Sequence, residues 1–589
     1  MKQKINRNTL WCEIFANYIA ECGIKNVCIS PGSRSTPLTL AFSHNKFFRI
    51  FPIVDERSSG FFALGLAKSS NSPTIVITTS GTAVAELYPA IIEAYYQRIP
   101  LIICTADRPA YLRNQGANQT INQDNIYRNH IRYFADAGLP QLKHSGMNRL
   151  KSITGKAVRI SRFVNPGPVH INFPFDKPFE PDIYTDDVSS DLLIKLQATD
   201  NKEIKIKQNS TAAIKTFVDT VKRKRRGIII CGFNNYGKEF ISSLVEFSFK
   251  SGYPVFADGS SGLRYGQHSK SNIIENFNAL IRSDLFLKKF DPEIILQVGG
   301  SATSNPVHDF IKSSRAEKIL INQYGDRNDP SLSAKKRIRI NPLELFNSAN
   351  LLLKDRRKNK DWLRPIAEMN NKLNDLKKQL FDIKPVLYEP VIVHTLINHL
   401  PADCNLMISN SLPIRDIDFF STCSEKRIKV DTNRGASGID GITSTALGIA
   451  ANSSRPTFLI TGDLAFFHDL NGLHNSLKFK IPLTVILINN GGGGIFESLP
   501  ISRFGKIFRD NFSTPLKLEF EKIVKAFNGI YYIVDETKGF INALRKSSNS
   551  KSLSVIEIRT DARLSKIFRS EFWETATGEI EKYINDNSG

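Results

Sequence analysis

Short runs of β-branched residues and leucine alternate along this chain with longer segments whose apolar positions recur every three or four residues. That is the pattern of buried parallel strands joined by helices. From residue 9 to about 180 it predicts a helix over TLWCEIFANYIAEC and strands over NVCIS, FRIFPIVD, PTIVITTS and PLIICTAD, with GPVHINFPFD (167–176) as a closing strand. The polar, acidic stretch DIYTDDVSSD (182–191) reads as a linker. Residues 205–355 repeat the alternation, with a helix over NSTAAIKTFVDTVK and strands over RGIIICG, YPVFADG, EIILQVGG and KILINQYG. A charged run, LLLKDRRKNKDW, leads to a third series with strands over NLMISN, IKVDT, PTFLIT, IPLTVILI and SLSVIEI. The expectation is an α/β chain of three doubly wound parallel-sheet domains in series, bounded at 1–185, 186–360 and 361–589.

The pair PTFLIT and IPLTVILI flanks one predicted helix marked by Leu470, Leu473 and Leu477. Strands so connected are parallel with a right-handed crossover, so both end at the sheet edge where α/β folds bind ligands. The first ends in Gly462-Asp463-Leu464 and the second in Asn489-Asn490, followed by four glycines, 491 to 494. Asp463, Asn490 and the Gly492 carbonyl are hard oxygen ligands suited to magnesium, which takes about six oxygens and often draws some from phosphate. The carboxylate of Asp463 is expected at an exposed strand end. Gly-Asp, then 24 residues after Leu464, then Asn-Asn resembles the signature of thiamine diphosphate enzymes. Any doubly wound sheet also puts Asp, Asn and Gly at its strand ends, so the neighbouring motifs decide.

Composition removes several classes. No apolar run approaches the roughly 20 residues of a membrane helix, and the N-terminus mixes charged with apolar positions where a secretory signal would not, so the expected location is cytoplasmic with no membrane span. Seven cysteines without a C-x-x-C indicate neither a disulfide framework nor a zinc site. The formal charge of +22 raises nucleic acid as a partner. The densest basic run, Lys222 to Arg226, ends a predicted helix, where the dipole favours cations. The surplus lacks the basic and aromatic alternation of single-strand binders, so the expectation is no nucleic acid. The middle segment has no G-x-G-x-x-G after any strand, hence no dinucleotide fingerprint.

Polar residues crowd the strand-end loops of the first segment: 30 to 35 (SPGSRS), Asp55-Glu56-Arg57, Ser80-Gly81-Thr82, Ala106-Asp107-Arg108-Pro109 and 115 to 119 (QGANQ). An aminopyrimidine needs a carboxylate at a ring nitrogen, because protonation there makes the amino group an imine able to deprotonate the thiazolium carbon. Glu56 is placed for this, although an acid at a helix N-terminus is also simply favoured by the dipole. SPGSRSTPLTLA, DERSSGFFALGLAK, TSGTAVAELYPAIIEA, TADRP, GANQ, NRGASGIDGITSTALG and the GDL-to-NN unit together resemble the MenD family, the 2-succinyl-5-enolpyruvyl-6-hydroxy-3-cyclohexene-1-carboxylate synthases of menaquinone biosynthesis.

The resemblance implies a thiamine diphosphate-binding fold and thiamine diphosphate with Mg2+ (or Mn2+) as cofactors. It also implies decarboxylation of 2-oxoglutarate and addition of the succinyl carbanion equivalent to isochorismate. Catalytic roles fall on Glu56, Gln119, Ser411 and Arg415, and cofactor contacts on Glu56, Gly81, Thr82, Ser411, Ile439, Gly462, Asp463, Leu464, Asn490 and Ile495. Metal ligands are Asp463, Asn490 and Gly492. Two dicarboxylates call for several cations, and the matching set is Arg34, Arg108, Arg415 and Arg434 with Ser33 and Gln119, arginine suiting a carboxylate through its planar fork. A homodimer or dimer of dimers is implied, with each site shared between the first domain of one subunit and the third of another. The chain departs from the family where Thr303-Ser304-Asn305-Pro306 replaces a basic residue. It departs again where Gly491 and Gly494 replace Asn and Gln, which predicts a more flexible loop. The rivals are another thiamine enzyme, such as an acetolactate synthase or 2-oxo acid decarboxylase, and a nucleic-acid-binding or scaffold protein on a degenerate fold. The arginine set argues against the first, since a monocarboxylate would not need it.

Overall fold

The computed structural model describes residues 2–190, 193, 211–234, 236–353, 360–382 and 386–587, so residues 354–359 of the charged run and the last linker position lie outside it. Among these residues no helix is long and apolar enough to cross a membrane. The strands are β1 Lys2–Ile5, β2 Asn26–Ile29, β3 Arg49–Pro52, β4 Thr74–Thr78, β5 Leu101–Asp107, β6 Tyr133–Asp136, β7 Pro168–Pro174 and β8 Asp186–Ser189. Then come β9 Gly227–Cys231, β10 Val255–Ala257, β11 Ile273–Ile274, β12 Ile294–Val298, β13 Glu317–Ile321 and β14 Lys336–Ile338. The last series is β15 Asp403–Ile408, β16 Arg427–Thr432, β17 Thr457–Gly462, β18 Leu483–Asn489, β19 Ile530–Val534 and β20 Leu553–Arg559.

These strands form three six-stranded parallel sheets, ordered β3-β2-β4-β5-β7-β6, β11-β10-β9-β12-β13-β14 and β16-β15-β17-β18-β20-β19. The expected three α/β domains are therefore present. Central strands such as TIVIT and GIIIC are buried at every position, as a parallel sheet with both faces covered requires. Packing divides the chain into two compact units, one of residues Met1–Lys207, Asn433–Ser454 and His468–Ile481, the other of Gln208–Thr432, Arg455–Phe467 and Pro482–Gly589. In the second unit a single apolar core joins the middle and last sheets through the helices Lys360–Phe381 and Ala562–Asp586, with Ile228, Phe256, Ile366, Ile414 and Phe568 among its members.

Three expectations change. The stretch read as a linker contains β8, which pairs antiparallel with β1 in the register Ile5↔Asp186 and Lys2↔Ser189. Val188 is buried and Asp186 takes the Arg7 guanidinium at 2.6 Å, so one apolar position and one ion pair hold a stretch too polar to read as a strand. The sequence reading also leaves out β1, β6, β11, β14 and β19. β6 and β19 are half-exposed sheet edges, and β11 and β14 have two and three residues, too few for a periodic signal. Finally, the crossover between β17 and β18 is not one helix but Asp463–His468, a 3-10 turn Leu470–Gly472 and Leu473–Phe479. Leu473 is buried whereas Leu477 is 38% exposed.

The break falls at Asp469, which is withdrawn from helical geometry and fully buried. Its Oδ2 accepts the Ser444 N–H at 2.6 Å and its Oδ1 the Ser444 hydroxyl at 3.0 Å, which caps the start of the helix Ile442–Ala451. Ser444 Oγ lies 2.8 Å from Ser58 Oγ, on the helix Glu56–Ser70, and Asn475 Nδ2 donates to the same Ser58 oxygen. Along the same contact the two helices meet backbone to backbone. A Cβ on Gly65 would sit 2.1 Å from the Thr445 carbonyl oxygen, and one on Gly448 2.1 Å from that of Phe62. Gly448→Ala must therefore push two helices apart, and overpacking of this kind costs about 1–3 kcal/mol. Thermal unfolding followed by circular dichroism should show the lowered midpoint.

Burial pushes the Asp469 carboxyl up to about 7, against the Ser444 bonds and the Arg57 charge. A carboxyl whose folded pKa exceeds its unfolded value holds its proton more tightly when folded. Stability is then greatest below about pH 4, declines as pH rises toward 7, and is level above. Asp469→Asn should flatten that slope, removing on the order of 3 kcal/mol of pH dependence, measurable as the difference between denaturant midpoints of the two proteins at pH 5 and pH 8.

Candidate active site

In the first unit the predicted loops converge at the C-terminal ends of β2, β4 and β5. Arg108 is 8% exposed; its guanidinium donates to Ser80 Oγ and to the Gln119 carbonyl, and Ser80 Oγ donates to that same carbonyl at 3.0 Å. Gln119 holds a left-handed backbone (φ 55), and the Gly81 N–H is taken by Gln123 Oε1, fixing the turn that Thr82 continues as a short helix. Arg34 Nη1 donates to the Phe175 carbonyl at 2.7 Å and the guanidinium lies 4.9 Å from the Phe179 ring, while its Nε is buried with no hydrogen-bond partner. Burial and then the neighbouring Arg108 charge lower the Arg34 pKa. The carboxylate that acts on both guanidiniums, Asp107, is itself ion-paired with Arg113 at 2.9 Å, so two partly desolvated cations near one another still describe a place where a further anion is favoured. Ser33, beside them, is exposed.

Glu56 is the first residue of its helix. Asp55 caps that helix through the Ser58 N–H and accepts Asn471 Nδ2, and Arg57 donates to the His468 carbonyl. Burial raises the Glu56 pKa, its own N–H opposes this, and Asp55 and Glu86 add to it. The same unit holds the loop before the helix Ile442–Ala451. Arg434 and Ile439 are half-buried there, and Arg434 Nε is buried with no hydrogen-bond partner.

That loop is held by Glu93, a residue the sequence reading missed. The buried Glu93 carboxylate accepts the Gly435 N–H at 2.8 Å and the Ala436 N–H at 2.7 Å. Its partners are more than 340 positions away, so no local pattern announces it. Glu93→Gln presents an amide NH2 to one of two N–H groups, and losing a bond to a charged acceptor costs about 1.5–3 kcal/mol. Hydrogen exchange at Gly435 and Ala436 should accelerate about tenfold or more, while exchange in β4 stays as it was.

The second unit holds the strand ends of β17 and β18, which pair in parallel with Gly462 opposite Ile488. Asp463 is 2% exposed, not at an exposed end as expected, because the glycine loop after β18 folds over it. Its Oδ1 accepts the Leu464 N–H at 2.8 Å and its Oδ2 the Gly492 N–H at 2.7 Å. Burial raises its pKa to about 6 against these bonds, and Glu389 adds to the rise. Leu464 and Ile495 are half-buried.

The glycine loop is open at Gly491, where a Cβ would meet nothing within 4 Å, and crowded at its later glycines. Gly492 has φ 122, and a Cβ there would meet the Ser513 carbonyl oxygen at 1.9 Å. A Cβ on Gly494 would lie 2.5 Å from Asn490 Nδ2, so glycine at 494 makes room for the Asn490 amide. That amide donates from Nδ2 to Glu389 Oε1 at 2.8 Å, and its Oδ1 is buried with no hydrogen-bond partner. Nothing lies within 4 Å of a Cβ built on Gly462.

A divalent ion with a diphosphate fits these residues. Asp463 brings a buried negative charge, Asn490 an orphaned oxygen, and the Gly492 carbonyl, which accepts the Gly494 N–H at 2.9 Å, keeps a second lone pair. Among the described residues no group of three or more His, Cys, Asp or Glu forms an alternative metal cluster. Two cavities of this unit, of about 430 and 560 Å3, lie elsewhere and share no residue with the set.

Ser411 and Arg415 flank the start of the helix Leu412–Phe420, Ser411 in a strained conformation for a non-glycine residue (φ 72, ψ −128) with its carbonyl accepting Arg415 Nη1 at 2.6 Å. Two buried ion pairs fix that helix, one from Arg264 to Asp418 at 3.0 Å and the other from Arg569 to Asp416 at 2.6 Å. Thr303 and Ser304, which stand where a family cation was expected, are used structurally: Thr303 binds Asp258 through N–H and hydroxyl, and Ser304 Oγ donates to Asn278.

Comparison with known proteins agrees with this layout. Residues 12–126 match the thiamine pyrophosphate enzyme N-terminal TPP binding domain, 196–408 the middle domain and 432–558 the C-terminal TPP binding domain. The benzoylformate decarboxylase of Polynucleobacter necessarius (TM-score 0.66, 15% identity, covering 94% of this chain and 98% of that one) shares the fold. So does the thiamine diphosphate-dependent 4-hydroxybenzoylformate decarboxylase of Rhodococcus jostii (TM-score 0.69, 14% identity, covering 94% and 99%). Curated 2-succinyl-5-enolpyruvyl-6-hydroxy-3-cyclohexene-1-carboxylate synthases are much nearer in sequence: that of Bacillus cytotoxicus is 33% identical over the full length of both chains. That of Oceanobacillus iheyensis is 34% identical over 96% of this chain and 97% of its own. With relatives of this identity along its whole length, the chain belongs to the 2-succinyl-5-enolpyruvyl-6-hydroxy-3-cyclohexene-1-carboxylate synthase family of thiamine diphosphate enzymes.

Proposed function

We propose that this protein is a thiamine diphosphate-dependent decarboxylating transferase. It releases CO2 from 2-oxoglutarate and adds the remaining succinyl unit to isochorismate, giving 2-succinyl-5-enolpyruvyl-6-hydroxy-3-cyclohexene-1-carboxylate for menaquinone biosynthesis. The observation that carries this reading is the oxygen set at the ends of β17 and β18, above all the buried, unpartnered Asn490 Oδ1 and the buried Asp463 carboxylate, which the glycine loop after Asn490 binds through the Gly492 N–H. Asp463, Asn490 and the Gly492 carbonyl would hold Mg2+ or Mn2+, and the open ground at Gly462 and the Leu464 N–H would lie on the diphosphate side of the site. The cofactor, when bound, supplies the carbon that makes loss of CO2 from a 2-oxo acid feasible.

The chain's own groups do the rest. Glu56, whose burial favours the protonated form, would hold a proton at its carboxyl for the pyrimidine ring of the bound cofactor. Gly81, Thr82, Ser411, Ile439 and Ile495 shape the cofactor's bed. Arg34, Arg108, Arg415 and Arg434, with Ser33 and Gln119, receive the substrate carboxylates. Gln119, Ser411 and Arg415 orient the reacting ends. The enzyme works in the cytoplasm as a homodimer or a dimer of dimers, which light scattering of the purified protein would report.

Purified protein is to be incubated with magnesium, thiamine diphosphate, 2-oxoglutarate and isochorismate, omitting each in turn, while CO2 and the mass of the adduct are followed. Adduct should form only in the complete mixture. Glu56→Gln should keep the fold and cofactor binding and lose about 10²- to 10⁴-fold in rate, the usual worth of a positioned acid or base. A wild-type protein that consumes pyruvate and ignores 2-oxoglutarate would overturn the substrate assignment, and full activity in Glu56→Gln would overturn the role of that carboxylate.

A further inference from the structure

Behind Asn490 lies a line of buried charge that no sequence motif connects to it. Glu389 is the first residue of the helix Glu389–His399 and is 1% exposed. Its Oε2 accepts from Arg569 Nη2, and Arg569 also grips Asp416 in a two-pronged bond, Nε to Oδ1 at 2.8 Å and Nη2 to Oδ2 at 2.6 Å. The other Glu389 oxygen, Oε1, accepts Asn490 Nδ2 at 2.8 Å and, more weakly, the Thr560 hydroxyl at 3.4 Å. Each carboxylate oxygen of Glu389 therefore has its own duty, one toward the arginine and one toward the asparagine.

An asparagine amide has two ends of opposite hydrogen-bond character, and nothing intrinsic to the side chain decides which end points where. An ionised carboxylate only accepts, so Glu389 admits the NH2 end alone, and Asn490 Oδ1 is left turned the other way, buried and without a hydrogen-bond partner. We infer that Glu389, anchored by Arg569, is a positioning residue whose work is to hold the Asn490 amide with its oxygen toward the metal. The inference rests on the reading of Asn490 as a metal ligand. A flipped amide would present NH2 to a cation, which repels it.

The argument distinguishes two substitutions at one position. In Glu389→Gln the single remaining carbonyl oxygen is claimed by Arg569, the stronger partner because it is charged. The new NH2 then faces Asn490, and the amide turns over to offer its oxygen. Glu389→Asp keeps the negative charge against Arg569 and withdraws the oxygen from Asn490. Loss of metal in the second variant therefore reports orientation and not the missing charge. Asn490→Asp makes both ends acceptors, so it needs no orienting. Paired with Glu389→Gln it takes the new NH2 on one oxygen and keeps the other for the metal.

The test measures Mn2+ binding to the full chain with one equivalent of thiamine diphosphate, by the electron paramagnetic resonance signal of free Mn2+. A protein-free control accounts for Mn2+ held by the cofactor alone. Thermal unfolding in EDTA runs beside it, so that metal affinity is read apart from fold. Glu389→Gln and Glu389→Asp should each weaken Mn2+ binding about 10- to 100-fold, the usual cost of removing a group that orients a ligand. The EDTA unfolding midpoint of Glu389→Asp should stay near that of the parent. The Glu389→Gln, Asn490→Asp pair should recover binding to within about threefold.

Parental affinity in Glu389→Asp overturns the inference, and so does a double variant that binds no better than Glu389→Gln. Should Glu389→Gln fail to fold, Glu389→Asp decides alone. Asn490→Ala is the control for the underlying reading: if it binds Mn2+ as the parent does, Asn490 is not a ligand and the metal assignment falls. If it loses Mn2+ while both Glu389 variants keep it, the assignment stands and only the positioning role falls.

Discussion

The contact on which the first unit turns is the one between the Gly65 and Gly448 backbones. Where a parallel sheet is covered by helices, side chains normally hold helix axes apart. Here glycine removes them, and the helices Glu56–Ser70 and Ile442–Ala451 approach until a single Cβ would strike a carbonyl. The closeness allows a polar seam of Ser58, Ser444, Asp469 and Asn475 that longer side chains would bar. It also fixes two features at once: the helix start that carries Glu56, and the end of the loop that carries Arg434 and Ile439. Neither could shift by an ångström without the other. Reactive groups have to be held to about that tolerance.

The second unit solves the same problem with charge. The helix Leu412–Phe420 carries Arg415 on its first turns and is braced by Asp418 against Arg264 and by Asp416 against Arg569, all of them buried except the half-buried Arg569. Arg264 also donates to the carbonyls of Ala257, Ile417 and Asp418, so its five donors are spent on a unique arrangement of backbone. Buried ion pairs add little net stability over an apolar core of the same volume, but breaking one costs about 3–5 kcal/mol. In this position they favour one orientation of the helix over others. The strained Ser411 backbone at the helix N-terminus, which a loose helix would relax, is held in place by that bracing.

Most of the fold was legible from sequence because the central strands are short apolar runs with no competing reading, and because GDL and NN stand at strand ends whose direction is dictated by the crossover. The edges were not legible: β6 and β19 are half-exposed, and β8 is as polar as a linker. Of the site, residues that lie on motif loops (Arg34, Arg108, Glu56, Asp463, Asn490) could be named in advance. Those that hold the loops could not. Glu93, Glu389, Arg264 and Arg569 act on partners far away in the chain, and a lone acid or arginine in an ordinary helix or turn carries no mark of what it will touch. The burial of Asp463 and the crowding at Gly492 escape the sequence for a related reason. A glycine run looks slack in sequence, and only the neighbouring Ser513 and Asn490 show that the space left at Gly492 and Gly494 is already filled, while that at Gly491 is open.

The interleaving of the first unit bears on the order in which the protein is made. Ser58 and Ser444, which share a hydrogen bond in its interior, are 386 residues apart in the chain. A ribosome adds roughly 5–20 residues per second, so about 20 to 80 seconds separate the emergence of the two. Throughout that time the partners that cover Phe61, Phe62 and Gly65 in the finished unit, at Gly441, Thr445, Gly448 and Phe479, are not yet all made. The core of the first unit therefore cannot be completed until the last third of the chain is being made, although its sheet is encoded entirely in the first.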